Sequence, residues 1–132
     1  MLEKFFAKKI PTKRVLVVED DAMLSMVLAE SLKEEKFKVQ IVEDGSLVLA
    51  ETIKFNPHII LLDLVLPGID GFEVLKQLKE ETKTANIPVV VVSNLDQPSD
   101  VKSVKALGAD QYFLKATTKV EVIIDYVKEK LN

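Results

Sequence analysis

The sequence predicts an α/β domain of five strand–helix units wrapped around a parallel sheet, and three observations carry that prediction. Val15–Val18 (VLVV), Ile59–Leu62 (IILL) and Val89–Val92 (VVVV) are apolar, mostly β-branched runs without polar alternation. That is the pattern of strands buried on both faces. Stretches with apolar residues three and four apart follow the runs, as the crossover helices of a parallel sheet require. The third observation is size. A chain of 132 residues makes one domain at about 150 residues each, and it can bury roughly two-thirds of its extended surface.

Residues 1–13, MLEKFFAKKIPTK, precede the pattern. Their apolar Leu2, Phe5 and Phe6 are broken by Lys4, Lys8 and Lys9, so no signal-peptide core is present. A short helical arm is expected there, with the domain proper at 14–132. The first strand, Val15–Val18, leads to a helix marked by Leu24, Val27, Leu28 and Leu32. The mixed segment Lys38–Val42 suits a sheet edge, and a weaker helix is predicted over Ser46–Phe55. Ile59–Leu62 precedes a third helix with Phe72, Leu75 and Leu78 inward. Val89–Val92 precedes a fourth with Val101, Val104 and Leu107, closed by Gly108 as a helix-terminating residue. Gln111–Leu114 is a second edge strand, and Val120, Ile123, Ile124, Val127 and Leu131 define the last helix. Right-handed crossovers place helices on both faces, giving a (βα)5 three-layer sandwich. The flavodoxin-like strand order 2-1-3-4-5 is the natural arrangement for five such units.

Composition removes whole classes of function. Hydrophobic residues make up 48% and charged residues 30%, the balance of an ordinary globular chain. No apolar run approaches the about 20 residues of a membrane helix. Lys plus Arg number 18 against 21 for Asp plus Glu, a net charge of −3 with no basic cluster, which argues against tracking nucleic-acid phosphates. Cysteine is absent, excluding disulfides, thiolate metal sites and cysteine nucleophiles. One histidine leaves a multi-histidine metal site without ligands. A cytoplasmic domain is expected.

In the 2-1-3-4-5 order, ligands bind beyond the C-terminal ends of strands 1 and 3. Strand 1 ends in Glu19, Asp20 and Asp21, strand 3 in Asp63, strand 4 in Ser93 and strand 5 in Lys115. Each group is the first polar one after an apolar run, so all gather on one edge. Acids from strand 1 facing Asp63 repel one another unless a cation intervenes. Carboxylates with carbonyl and water oxygens are the ligands Mg²⁺ selects. Cation, hydroxyl and ammonium around one point suit a phosphoryl group, and carboxylates can accept one, which makes Asp63 a candidate nucleophile. Asp21, directly ahead of Ala22, reads as a helix N-cap. His58 starts strand 3 on the opposite edge and reads as structural or solvated.

The stretches VLVVEDD at 15–21, HIILLDLVLPGIDGFEVL at 58–75, VVVVSN at 89–94 and GADQYFLK at 108–115 resemble a response-regulator receiver domain of the CheY type. The resemblance covers everything from Arg14 to Asn132. It implies a role for each matching position. Asp63 corresponds to the phospho-accepting aspartate and Asp20 to a direct Mg²⁺ ligand. Glu19 corresponds to that ligand's water-mediated partner, and Val65 to the residue whose backbone carbonyl completes the metal site. Ser93 and Lys115 correspond to the hydroxyl and lysine on the phosphoryl group. Tyr112 corresponds to the aromatic that swings inward behind the hydroxyl. The phosphoryl group would come from a phosphohistidine on a histidine kinase or phosphotransfer protein. The signal would leave through the surface of helix 4, strand 5 and helix 5. Such a protein catalyses only its own phosphorylation and dephosphorylation. It is expected as a monomer or weak dimer without direct contact to nucleic acid or membrane.

Two departures stand out. Ala116 follows Lys115 where receivers usually carry a cis-linked proline. A non-proline cis bond costs about 3–4 kcal/mol, so a trans loop with a re-aimed lysine is expected. Asn94 replaces a small residue after the hydroxyl and is expected to narrow access to Asp63. Among rival readings, a flavodoxin needs a phosphate loop of backbone N–H donors where this chain has Glu-Asp-Asp. A haloacid-dehalogenase-type phosphatase needs a second acid two residues after the first, where this chain has Ala22. The strongest rival is a pseudo-receiver that is never phosphorylated and acts as a protein-binding module.

Overall fold

The computed structural model describes residues 12–132. The expected arm at 1–13 lies almost wholly outside the described residues, which begin with Thr12 and Lys13 ahead of the first strand. Among the described residues five strands and five α-helices alternate. They are β1 (Arg14–Val18), α1 (Ala22–Glu34), β2 (Lys38–Val42), α2 (Val48–Phe55), β3 (Ile59–Leu62), α3 (Gly71–Glu80), β4 (Val89–Ser93), α4 (Pro98–Ala106), β5 (Gln111–Leu114) and α5 (Val120–Leu131). All strand pairs are parallel and the order is β2-β1-β3-β4-β5. The two segments of mixed composition are the two edges, where one side of the strand meets solvent instead of a neighbour.

Alternation along the strands divides the core between the two faces. Leu16, Val18, Ile60, Leu62, Val89 and Val91 pack with Val48, Val74, Leu75, Leu78 and Val104, so α2, α3 and α4 cover one face. Val15, Val17, Ile59, Leu61, Val90 and Val92 pack with Leu28, Leu32, Ile123, Ile124 and Val127, so α1 and α5 cover the other. Each fully buried Leu or Ile contributes about 1.5–3 kcal/mol relative to exposure. Gly108, at φ 105°, ends α4 as expected, its N–H donating to the Lys105 carbonyl. Among the described residues no helix is long and apolar enough to cross a membrane.

Two expectations about helices need correction. The segment assigned to one helix over Ser46–Phe55 instead begins as a 3-10 turn, Gly45–Leu47, and becomes α-helical only at Val48. Asp44 is the cause. Its Oδ1 accepts from the Ser46 N–H at 2.8 Å and the Ser46 hydroxyl at 2.7 Å, which fixes a tight turn. In α1 the buried stripe is Ser25, Leu28, Ala29 and Leu32, while Val27 is exposed together with Met23 and Met26. The helix is rotated so that small Ser25 and Ala29 approach the sheet, leaving Val27 on the flank.

Candidate functional site

The register brings the acids together. Val18 pairs with Leu62, and the Asp63 N–H donates to the Val18 carbonyl at 3.0 Å, while the Glu19 N–H donates to the Val42 carbonyl at 3.0 Å. Glu19 and Asp63 therefore leave adjacent strands at the same level. Both are buried, at 3% and 5% exposure, whereas Asp20 is exposed. Carboxylate oxygens of Glu19, Asp20 and Asp63 all lie within 4.8 Å of one another. Asp21 is the N-cap of α1, accepting from the N–H groups of Met23 and Leu24 at 3.0 and 3.3 Å.

Lys115 follows β5, and its side chain spans β4 to reach the acids. Its Nζ lies 2.6 Å from Glu19 Oε1 and 2.8 Å from Asp63 Oδ2. The expected re-aiming of this lysine does not occur. The described residues contain no cis peptide bond, and the ammonium meets Asp63 nonetheless. The Lys115 N–H donates to the Ser93 carbonyl at 2.9 Å, so the end of β4 fixes the chain here, just ahead of Ala116. The opposing terms are visible in the proton affinities. Burial pushes the Glu19 carboxyl above its ordinary value, with the Asp63 charge adding to it, while Lys115 and the Asp21 N–H pull the other way. Burial disfavours the Lys115 ammonium, but its bonds to Asp63 and Glu19 outweigh that and raise its affinity for the proton.

The remaining positions frame this pair. Val65 donates its N–H to Asp63 Oδ1 at 3.2 Å, and its side chain is exposed. Ser93 is fully buried at the end of β4, its Oγ accepting from the Leu95 N–H at 3.4 Å. Tyr112 is half-buried against the α3–α4 side of the core, and its hydroxyl donates to the Leu95 carbonyl. Burial first, then the Asp100 carboxylate, hold its phenol above the ordinary value, opposed by a bond with Ser93. The ring thus already occupies an inward seat beside the hydroxyl. Asn94 is exposed and lines a shallow cavity with Met23, Leu24, Val27, Ala116 and Val120, on the α1–α5 flank. His58 lies on the opposite edge, where its Nδ1 accepts from the Arg14 N–H at 2.9 Å.

Sequence reasoning did not identify Gly71. Its N–H donates to the Leu64 carbonyl at 2.8 Å, and a side chain there would overlap the backbone of Asp63 and Leu64. The signal available was the Asp-Gly pair ahead of a helix, with Asp70 as N-cap accepting from the Glu73 N–H at 3.1 Å.

A flavodoxin-like α/β sandwich with an acidic group and a lysine at its strand switch point defines a class of signalling domain. The response regulator receiver domain family matches residues 15–128, and the chain belongs to that family. The sensory transduction protein RegX3 of Mycobacterium tuberculosis is 39% identical over 109 residues, covering 83% of this chain and 47% of that protein. The chain thus spans about half the length of the curated relatives it matches. The BeF3-activated N-terminal receiver domain of Klebsiella pneumoniae RstA superposes with a TM-score of 0.83 at 26% identity, covering 91% of this chain and 99% of that one. The Mn(2+)-bound form of response regulator Rcp1 gives 0.75 at 30% identity, covering 89% and 90%.

Proposed function

We propose that Asp63 is the phosphoacceptor of a two-component system. The carrying observation is the Lys115 ammonium shared between Glu19 and Asp63, with three carboxylates converging beside it. The donor set is all hard oxygen, which fits Mg²⁺ better than softer ions. Glu19, Asp20, Asp63 and the Val65 carbonyl would hold the ion, which when bound neutralises phosphoryl oxygens. A Mn(2+)-bound form of the similar response regulator Rcp1 is in keeping with a divalent cation on this chain.

In the proposed reaction an Asp63 oxygen attacks the phosphorus of a phosphohistidine on a histidine kinase or phosphotransfer protein. The O–P bond forms, the P–N bond breaks and the imidazole leaves with its electron pair. Lys115 moves from the carboxylate to the phosphoryl oxygens, and the Ser93 hydroxyl donates a second bond to them. Tyr112, tied to Leu95 beside Ser93, transmits that change to α4, β5 and α5. The protein catalyses only its own phosphorylation and dephosphorylation, works in the cytoplasm, and passes the signal to a further protein.

Acetyl phosphate with Mg²⁺ followed by intact-mass measurement tests the reading. One phosphoryl group is expected on the native chain and none on Asp63→Asn. No gain on the native chain would favour the pseudo-receiver, a binding module that uses the same surface without chemistry.

A further inference from the structure

The loop from Asp63 to Asp70 carries the phosphoacceptor and Val65, and it is held at its stem and at its tip, with Leu66 between them packed against the core. At its stem, Gly71 packs against the Asp63 and Leu64 backbone and donates its N–H to the Leu64 carbonyl. Leu64 itself is buried at 2% exposure. At its tip, the hold comes from a different part of the chain. The Gly45 N–H donates to the Pro67 carbonyl at 2.9 Å. A Cβ on Gly45 would overlap the Ile69 carbonyl oxygen. Gly68, at φ 84°, sits against the Asp44 carboxylate so closely that a Cβ there would overlap Oδ1. Two loops therefore meet at close range, backbone to backbone at Gly45 and backbone to carboxylate at Gly68.

Between stem and tip lie only Val65 and Leu66. The Val65 side chain is 58% exposed and its N–H is committed to Asp63. Packing of its own does not orient this residue. Its peptide planes take their direction from that bond to Asp63 and from the held residues on either side, the stem at Leu64 and the tip reached through core-packed Leu66.

We propose that the turn Asp44–Gly45–Ser46 is a positioning element for the cation and phosphoacceptor site, acting through Pro67, Gly68 and Ile69 on Val65; this rests on the receiver reading above. Asp44 holds the turn by accepting from both the N–H and the hydroxyl of Ser46. The turn thus sets how well the acceptor loop is prearranged for a cation that demands near-ideal octahedral geometry. Outer-shell supports of a metal site typically change affinity by about 10- to 100-fold when lost.

The test is calorimetric titration of Mg²⁺ into the native chain, Gly45→Ala, Asp44→Ala and Val104→Ala. Val104 lies in α4 on the same core face and reports what general destabilisation does to the site. The Mg²⁺ dissociation constant is expected to rise about tenfold in Gly45→Ala and in the same direction in Asp44→Ala. It should stay within about twofold in Val104→Ala. Phosphorylation of Asp44→Ala by acetyl phosphate should recover at saturating Mg²⁺, separating positioning from chemistry. If Gly45→Ala does not fold, Asp44→Ala decides, since it leaves the backbone contact sterically intact. Native affinity in Asp44→Ala, or an equal loss in Val104→Ala, overturns the proposal. A native chain that neither binds Mg²⁺ nor gains a phosphoryl group overturns the receiver reading instead.

Discussion

The two ends of the same sheet treat their charged groups in opposite ways. At the N-terminal edge Arg14 donates through Nε to the carbonyls of Phe55 and Asn56 at 3.1 and 2.9 Å. His58 accepts from the Arg14 N–H there, and its own N–H donates to the Arg14 carbonyl at 2.8 Å. The Arg14 guanidinium and the His58 ring are both met by nearby backbone. At the C-terminal edge Glu19 and Asp63 are buried side by side, and one ammonium serves both. One edge is arranged for closure of the fold, the other holds like charges together against their repulsion. The difference teaches where the fold carries its electrostatic strain: at the edge whose groups lean on a single shared partner.

The largest expected effect removes that partner. Lys115→Met leaves two buried carboxylates facing one another without a cation. A loss of about 3 kcal/mol in unfolding free energy is expected at neutral pH, since removing one member of a buried pair strands the other. Millimolar Mg²⁺ should restore part of it. Urea unfolding with and without Mg²⁺ measures both, and an unchanged midpoint would show that the ammonium does not hold the acids in place.

A smaller change sharpens the contrast from the acid side. Asp20→Asn removes one of three converging charges without touching the Lys115 pair. The metal-free protein should gain up to about 1 kcal/mol, while the Mg²⁺-dependent rise in melting temperature disappears. If the variant keeps the full Mg²⁺ response, Asp20 is not a ligand.

The smallest effect belongs to the opposite edge. Burial, with the nearby Arg14 and Lys13 charges, depresses the His58 proton affinity below its ordinary 6.5. The unfolded chain then binds more protons than the folded one in the window below that value. His58 therefore contributes stability above about pH 6.5, and that contribution fades as the pH falls. His58→Gln keeps an acceptor for the Arg14 N–H and does not titrate. Its melting temperature should match the native chain at pH 7.5 and exceed it slightly at pH 5.5. Equal acid sensitivity in the two proteins would mean that the ring is free to protonate in place.

Much of this contrast was readable in the chain. The apolar runs ending at Val18 and Leu62 mark the C-terminal ends of β1 and β3 to the residue, because strands buried on both faces leave no room for a polar side chain until they emerge. Asp63 and Lys115 were legible for the same reason, as the first polar groups beyond the core. The bond that seats Tyr112 was not, since its hydroxyl partner is the backbone carbonyl of Leu95, which carries no side-chain signature. Val27 misled because helical spacing alone does not fix rotation about the helix axis, and the small residues Ser25 and Ala29 decided it. The contact of Gly45 with the acceptor loop was invisible as well. It depends on two loops more than twenty residues apart meeting in space, and a glycine in a turn reads the same whether or not anything lies against it.

The position of β1 between β2 and β3 bears on how the protein is made. A central strand made before both of its neighbours has two open edges, and the edge facing β3 stays open until Ile59–Leu62 has left the ribosome. At synthesis rates of about 5–20 residues per second that interval lasts on the order of seconds. Throughout it, Val15–Val18 is an apolar, β-branched segment with unpaired N–H and C=O groups, the kind that pairs with other chains. Arg14 and the Glu-Asp-Asp run flank it on either side. The acids that later gather at the site are then also charged guards on an aggregation-prone segment of the unfinished chain.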